Sequence, residues 1–216
     1  MGKVELRRAR TIEAILAAAA EVMAEGGAAA LSLGEVARRV GMRTPSLYGY
    51  FGSRAALCDE IFRRGWIDYG SVTTNVTVSP DTDLQAELCE GIRASVTWAN
   101  AHRAAAELMF WRPIPNWQPA PEAFAPAVEV VSRTTQIVAD AQSCGLLRAD
   151  ADLDEMTQLL GVIFAGVISQ QLSNEPGVDA EAGRASQHAA AFADMFLSHY
   201  GTRQQRRTAA PPPTVT

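Results

Sequence analysis

Lysine is almost missing from this chain of 216 residues: Lys3 stands alone beside 18 arginines. A phosphate loop of the G-x-x-x-x-G-K type, which needs a lysine at its end, is therefore excluded. Cysteine is scarce too. Cys58, Cys89 and Cys144 are odd in number and scattered, which excludes a disulfide framework and predicts reduced thiols in a cytoplasmic protein. No stretch approaches the ~20 apolar residues of a membrane span, so no membrane association is expected. The basic start, Met1 to Arg10, has no apolar run behind it of the kind a secretion signal needs. The three histidines, His102, His188 and His199, lack metal-ligand spacing with one another or with cysteine. Asp150, Asp152 and Asp154 imitate the start of a calcium loop, but Glu155 stands where its glycine belongs and Gly161 where its glutamate belongs. No acid–base or nucleophilic constellation stands out, so the chain is expected to be no enzyme and to hold no metal or cofactor.

What is present is alanine, 38 residues of it, which favours helix throughout. Helices are predicted from about Ile12 to Glu25, after Ser32, after Arg43, from near Ser53 to about Tyr69, and over about 83–103, 104–111, 122–143, 152–173 and 179–200. Residues 70–82 are polar, β-branched and turn-forming; with no partner strand elsewhere they read as a linker. The expected fold is all-α: a three-helix helix-turn-helix domain over residues 1–52, a larger helical domain over 53–201 that begins with a linking helix at 53–70, and a disordered tail at 202–216, about nine helices in all.

Charge is divided unevenly. Residues 1–54 hold eight basic and five acidic side chains (+3), residues 71–216 nine basic and sixteen acidic (−7), and the whole chain carries −5. A basic front end on an acidic body suggests that only the front end meets phosphate. Arg7, Arg8 and Arg10 read as a basic arm ahead of the first helix.

Residues 32–62, SLGEVARRVGMRTPSLYGYFGSRAALCDEIF, carry the functional signal. Ser32 suits an N-cap, and Glu35 three residues on completes a capping box. Gly41 suits the left-handed residue that ends a helix. Thr44 and Pro45 suit the N-cap and first position of the next helix. Leu47 and Phe51, four apart, point inward, which leaves Arg43, Thr44, Ser46, Tyr48 and Tyr50 for the outer face and helix entrance. A short helix with a small polar face, held across a glycine turn, is the design that enters the DNA major groove.

The same stretch resembles the DNA-binding domain of the tetracycline-repressor (TetR) family of bacterial transcriptional regulators. The resemblance covers about residues 7–65 and rests on Ile15, Leu16 and Ala19, Leu31-Ser32-Leu33, Val36-Ala37, Val40-Gly41-Met42, Ser46-Leu47-Tyr48, Tyr50-Phe51, Ser53-Arg54 and Leu57. It implies that Arg54, at a position where the family usually has lysine, meets a phosphate; that Tyr48 and Tyr50 meet the backbone; that Ser32 offers a phosphate-binding hydroxyl; and that Arg43, Thr44, Pro45 and Ser46 reach bases. Gly34 and Gly49 depart from the family pattern where bulkier residues are common.

The resemblance further implies an effector-binding and dimerisation half. Aromatic and sulfur side chains concentrate there: Trp66, Tyr69, Trp98, Met109, Phe110, Trp111, Trp117, Phe124 and Phe164, with Gln171 as a polar partner. An apolar pocket with few polar groups is what a small-molecule site needs; Gln136, Gln170, Glu107 and Arg112 are further polar candidates. Small residues on the last two predicted helices favour close helix packing, and Ile163, Val167, Phe192 and Phe196 are the expected homodimer contacts. The chain thus reads as a homodimeric repressor of a palindromic double-stranded DNA operator, released by a small, mostly apolar effector. An activator, and a helical binder or enzyme with a vestigial motif, are the alternatives.

Overall fold

Alanine-rich, strand-poor sequence gives helix, and the computed structural model, which describes residues 2–202, is helical with no β-sheet among them. The α-helices are α1 Lys3–Gly26, α2 Leu33–Arg39, α3 Thr44–Tyr48, α4 Arg54–Thr73, α5 Leu84–Ala101, α6 Arg103–Ala106, α7 Pro121–Ser143, α8 Leu153–Asn174 and α9 Ala189–Tyr200. The segment expected to be a disordered tail lies, from residue 203 on, outside the described residues. The chain forms two compact units. One comprises residues up to Ile67 together with His102–Ala127; the other comprises Asp68–Ala101 and the residues from Val128 on. α4 and α7 contribute residues to both.

In the first unit, Ile15 and Ala19 of α1, Val36 and Ala37 of α2 and Leu47 of α3 are completely buried. Each large apolar side chain of this kind contributes roughly 1.5–3 kcal/mol. The turn between α2 and α3 is closed by Gly41, at φ 68°, and by the Met42 amide donating to the Ala37 carbonyl at 2.8 Å, the six-to-one bond that glycine's left-handed freedom permits. α6 packs against α1 and passes into a single π-helical turn, Glu107–Trp111.

In the second unit α5 packs against α8 and α9. One core cluster gathers Leu84, Met156, Leu160, Phe196 and Tyr200; another gathers Ile92, Val96, Val167 and Ala193. α9 is tied to the turn after α7 by the Arg148 amide donating to Tyr200 O and the Thr202 amide donating to Leu146 O.

Several expectations need correction. The basic arm is helical: α1 starts at Lys3 and carries Arg7, Arg8 and Arg10, because a helix already nucleated further on extends without a second nucleation cost. Arg43, not Thr44, is the N-cap of α3, and Pro45 lies one position further in. The capping box at Ser32 is half made. Ser32 Oγ accepts from the Glu35 amide at 3.2 Å, but the Glu35 carboxylate is taken by Arg38 and Arg39. The last helix starts at Ala189 rather than 179, after a 3₁₀ turn at Ser186–His188. Residues 179–185 are held as turns instead, with the Gly183 amide donating to Asp179 O and the Arg184 amide to Glu175 Oε2. Finally, α8 is long and apolar enough to cross a membrane by length and composition, yet Met156, Ile168 and Leu172 on it are fully buried in the second unit.

Candidate nucleic-acid interface

The α2–turn–α3 hairpin is built so that its apolar residues face inward and its chemistry faces out. Leu47 is fully buried and Phe51 nearly so, while Arg43, Pro45, Ser46 and Tyr48 are exposed and Thr44 and Tyr50 half-buried. Tyr48, a large aromatic, is 54% exposed. Ser32 is exposed, and its hydroxyl, having accepted from Glu35, keeps its own proton to donate.

Arg54 is placed differently from the others. One of its Nη atoms donates to the Ala28 carbonyl at 2.8 Å in a half-buried setting, tying the start of α4 to the 3₁₀ turn Ala28–Ala30 that precedes Ser32. The first turn of α4 is capped by Ser53, whose Oγ accepts from the Ala56 amide at 3.0 Å.

An ionic cluster fixes α2 against α1. Arg39 reaches Glu21, Glu25 and Glu35 at once. The Arg38 and Arg39 guanidiniums hold the Glu35 carboxyl at about 2, far below the usual carboxylate range. A lowered pKa stabilises the fold above the unfolded value, near 4.5, and the contribution is lost as pH falls towards 2. Glu35→Gln is therefore expected to melt below wild type at pH 7, with the gap closing between pH 4.5 and 2. Thermal melts of both proteins across that range check this; a gap that stays constant contradicts it.

The aromatic residues expected to line one pocket fall into two groups. In the first unit Phe62, fully buried, is the hub: edge-on to Trp66 at 6.2 Å and Trp117 at 5.7 Å, and stacked on Phe124 at 6.1 Å. Trp66 meets Phe110 at 5.8 Å. Met109 is buried against Gly65, where an added Cβ would come within 2.6 Å of its sulfur. Trp111 is half-buried in the π turn. Trp117 Nε1 donates to Asp59 Oδ1 at 3.0 Å, and the Ala120 amide donates to the same oxygen. That bond fastens the 112–120 strap, where Arg112 and Asn116 have left-handed backbone. Arg112 lies over the Phe124 ring at 5.6 Å, and Glu107 is buried with an ion pair to Arg103.

In the second unit Trp98 donates from Nε1 to Asp68 Oδ2 at 2.8 Å and meets the Tyr69 ring edge-on. Ser95 Oγ gives its proton to Gly91 O, so the Tyr69 hydroxyl is the donor in its 3.1 Å bond to Ser95. Burial pushes Tyr69 up to about 12. Phe164 packs on Gly91. Gln171, fully buried, donates from Nε2 to the carbonyls of Glu175 and Val178, closing the loop after α8. Gln136 bonds Asp140 on an exposed helix face, and Gln170 bonds Asn174.

Two sequence profiles match the chain: bacterial regulatory proteins of the tetR family over residues 15–61, and the tetracyclin repressor-like C-terminal domain over residues 88–196. The chain belongs to the TetR family. No curated protein sequence matches it. Among solved structures it is similar to a protein of unknown function from Rhodococcus sp. RHA1 (TM-score 0.69, 20% identity, 88% of this chain and 95% of that one). It is also similar to a bacterial regulatory protein in the tetR family from Rhodococcus RHA1 (0.65, 21%, 88% and 96%) and to the TetR family transcriptional regulator PfmR from Thermus thermophilus (0.62, 19%, 85% and 97%). At these identities the likeness is one of fold.

A TetR-family chain thus presents a helix-turn-helix unit and a helical C-terminal domain. Its own particulars include residues that sequence reasoning did not single out. Phe62 and Asp59 organise the first aromatic group; Phe62 is signalled in the sequence only by its inward position on α4, and Asp59 by nothing. Of the expected dimer contacts, Val167 and Phe196 are 3% exposed and lie in the core of their own unit, and Ile163 and Phe192 are half-buried. The exposed apolar residues on α8 and α9 are Leu159, Val162 and Met195, the last two 67% and 68% exposed.

Proposed function

We propose that this protein is a homodimeric transcriptional repressor that binds a palindromic DNA operator and is released from it by a small, mostly apolar effector, acting in the cytoplasm. Residues 1–52 supply DNA binding, and 53–201 effector binding and dimerisation. The observation that carries the reading is α3: five residues anchored by buried Leu47, presenting exposed Pro45, Ser46 and Tyr48 beside Arg43. Arginine forks onto guanine N7 and O6, and the methyl and methylene groups of Thr44 and Pro45 suit a thymine methyl. Tyr48, Tyr50, Ser32 and Arg54 are assigned to the phosphate backbone, which sets register and most of the affinity. Arg54 is left only its remaining Nη protons for a phosphate, since one Nη donates to the Ala28 carbonyl and its Nε is buried.

A dimer follows from the geometry of reading DNA. Two recognition helices about 34–36 Å apart read successive half-sites on one face of the duplex. The exposed Leu159 and Val162 on α8 and Met195 on α9 support a second copy as their cover, since at helical spacing they flank the half-buried Ile163 and Phe192. Placing charge there with Val162→Glu and Met195→Glu should convert the protein to a 23.1 kDa monomer with an unchanged far-ultraviolet spectrum. Sedimentation equilibrium reads this; a dimer that survives both substitutions overturns the interface.

The effector-site candidates are taken unit by unit: the aromatic group of Trp66, Met109, Phe110, Trp111, Trp117 and Phe124 in the first unit, and Tyr69, Trp98, Phe164 and Gln171 in the second. An effector releases DNA only if it binds the DNA-incompetent conformation more tightly than the competent one. The test is selection of bound duplexes from a random pool, followed by mobility shift on the enriched sequence. An enriched inverted repeat, bound less tightly with effector, is expected; an effector-dependent gain of binding overturns release by the effector, and no enrichment at all contradicts the reading.

A further inference from the structure

The first two turns of α1 are exposed at every position from Lys3 to Arg10, with Val4 82% exposed. Eight residues with so little packing would not form a helix alone, yet they continue straight from the buried part of α1. Among the described residues Arg8 supplies their tertiary anchor. Arg8 lies on the same line of the helix as buried Ile15, seven residues on. Its guanidinium donates to the Gly49 carbonyl at 3.3 Å and sits over the Tyr50 ring at 4.9 Å. The extension is therefore fastened to the C-terminal end of the recognition helix, beside a residue assigned to the DNA backbone.

Lys3, Arg7 and Arg10 recur at i, i+4 and i+7, one face of the helix. Among the described residues none of the three has an ion-pair partner. The nearest acids are turned elsewhere: Glu5 accepts from the Gly2 amide at 2.7 Å, and Glu13 pairs with Arg64. Three cations along about 10 Å of helix face a DNA strand that carries one charge per ~3.4 Å of axis, which is room for three phosphates.

We infer that this basic face is a second DNA-binding element, which grips the phosphate backbone next to the half-site read by α3, with Arg8 as the positioning residue that holds it there. The inference rests on the DNA-binding reading above. It makes the contacted site longer than α2 and α3 alone would cover, and the added contacts are indifferent to base sequence.

The test compares full-length wild type with Lys3→Gln/Arg7→Gln/Arg10→Gln on the duplex that wild type selects from a random pool, with affinity measured over a range of salt. Glutamine keeps helix propensity, and an unchanged melting temperature shows that the fold is intact. Each lost phosphate contact lowers the log–log salt slope by ~0.9, so a slope smaller by about 2–3 per protomer and about 5 for the dimer, with an affinity loss of roughly 10- to 100-fold per protomer near 0.15 M salt, is expected, equal on the selected and the scrambled duplex. Arg8→Ala should lose part of this and shrink the protected backbone at the flank in hydroxyl-radical footprinting. A wild-type slope and footprint in the triple variant overturn the inference while leaving DNA binding by α3 intact. If wild type itself enriches no duplex, the DNA-binding reading fails first.

Discussion

Arg43→Ala with Tyr48→Ala should abolish specific operator binding at ordinary protein concentrations while leaving the melting temperature where it was. Both side chains are exposed, and neither contributes to the core behind Leu47. A base contact is worth ~1–3 kcal/mol, and a backbone contact from Tyr48 adds to it. The pair should therefore cost about 3 kcal/mol per half-site and about 6 kcal/mol for a dimer on two half-sites, roughly ten-thousandfold in affinity, with the discrimination between selected and scrambled duplex lost. Fluorescence anisotropy on both duplexes at one fixed salt concentration reads the change. Arg54→Ala is a poor substitute, because it also removes the bond to the Ala28 carbonyl that ties α4 to the turn before α2, so lost binding would mix with lost structure. Wild-type affinity in the Arg43/Tyr48 variant contradicts the assigned reading face.

Phe62→Ala should be the most destabilising single change in the first unit. The ring is fully buried and touches Trp66, Trp117 and Phe124. Truncating a buried phenylalanine costs ~3–5 kcal/mol, from lost transfer energy and the cavity left behind. At ~2–4 °C per kcal/mol for a chain of this size, the transition that includes this unit should fall by about 6–20 °C by calorimetry. Phe124→Ala, on a ring 37% exposed, should cost much less. Equal effects from the two would mean that Phe62 is not the hub and that the aromatic group is looser than its geometry indicates.

The first half of the chain was the more legible because its signals are local. Ser32, Gly41, Pro45, Leu47 and Phe51 each announce a cap, a turn or an inward position, and several must agree within twenty residues for a helix-turn-helix to form. What local signals missed were side-chain partners. The Glu35 carboxylate had two candidate roles, capping Ser32 or pairing with Arg38 and Arg39, and two guanidiniums won over one backbone amide. The helical state of Lys3–Arg10 was hidden because its anchor, Arg8 on Tyr50, spans more than forty residues.

The second half was less legible for a different reason. α8 is apolar nearly all round, so its pattern cannot say which side meets the core and which meets solvent. Ile163 and Val167 are the dimer contacts expected on α8; Val167 is buried in its own unit, and the exposed apolar residues of the helix are Leu159 and Val162. Residue type alone also grouped ten pocket candidates that belong to two units. Gln171, chosen for its amide, uses that amide to hold two loop carbonyls.

The central claim is sequence-specific DNA binding through α3. The most direct measurement is equilibrium binding of the full-length protein to its selected duplex and to a scrambled duplex of equal length, each titrated across salt. The account predicts at least about a thousandfold preference for the selected duplex near physiological salt, with both affinities falling steeply as salt rises. Equal affinity for the two duplexes, or affinity that does not change with salt, would contradict it.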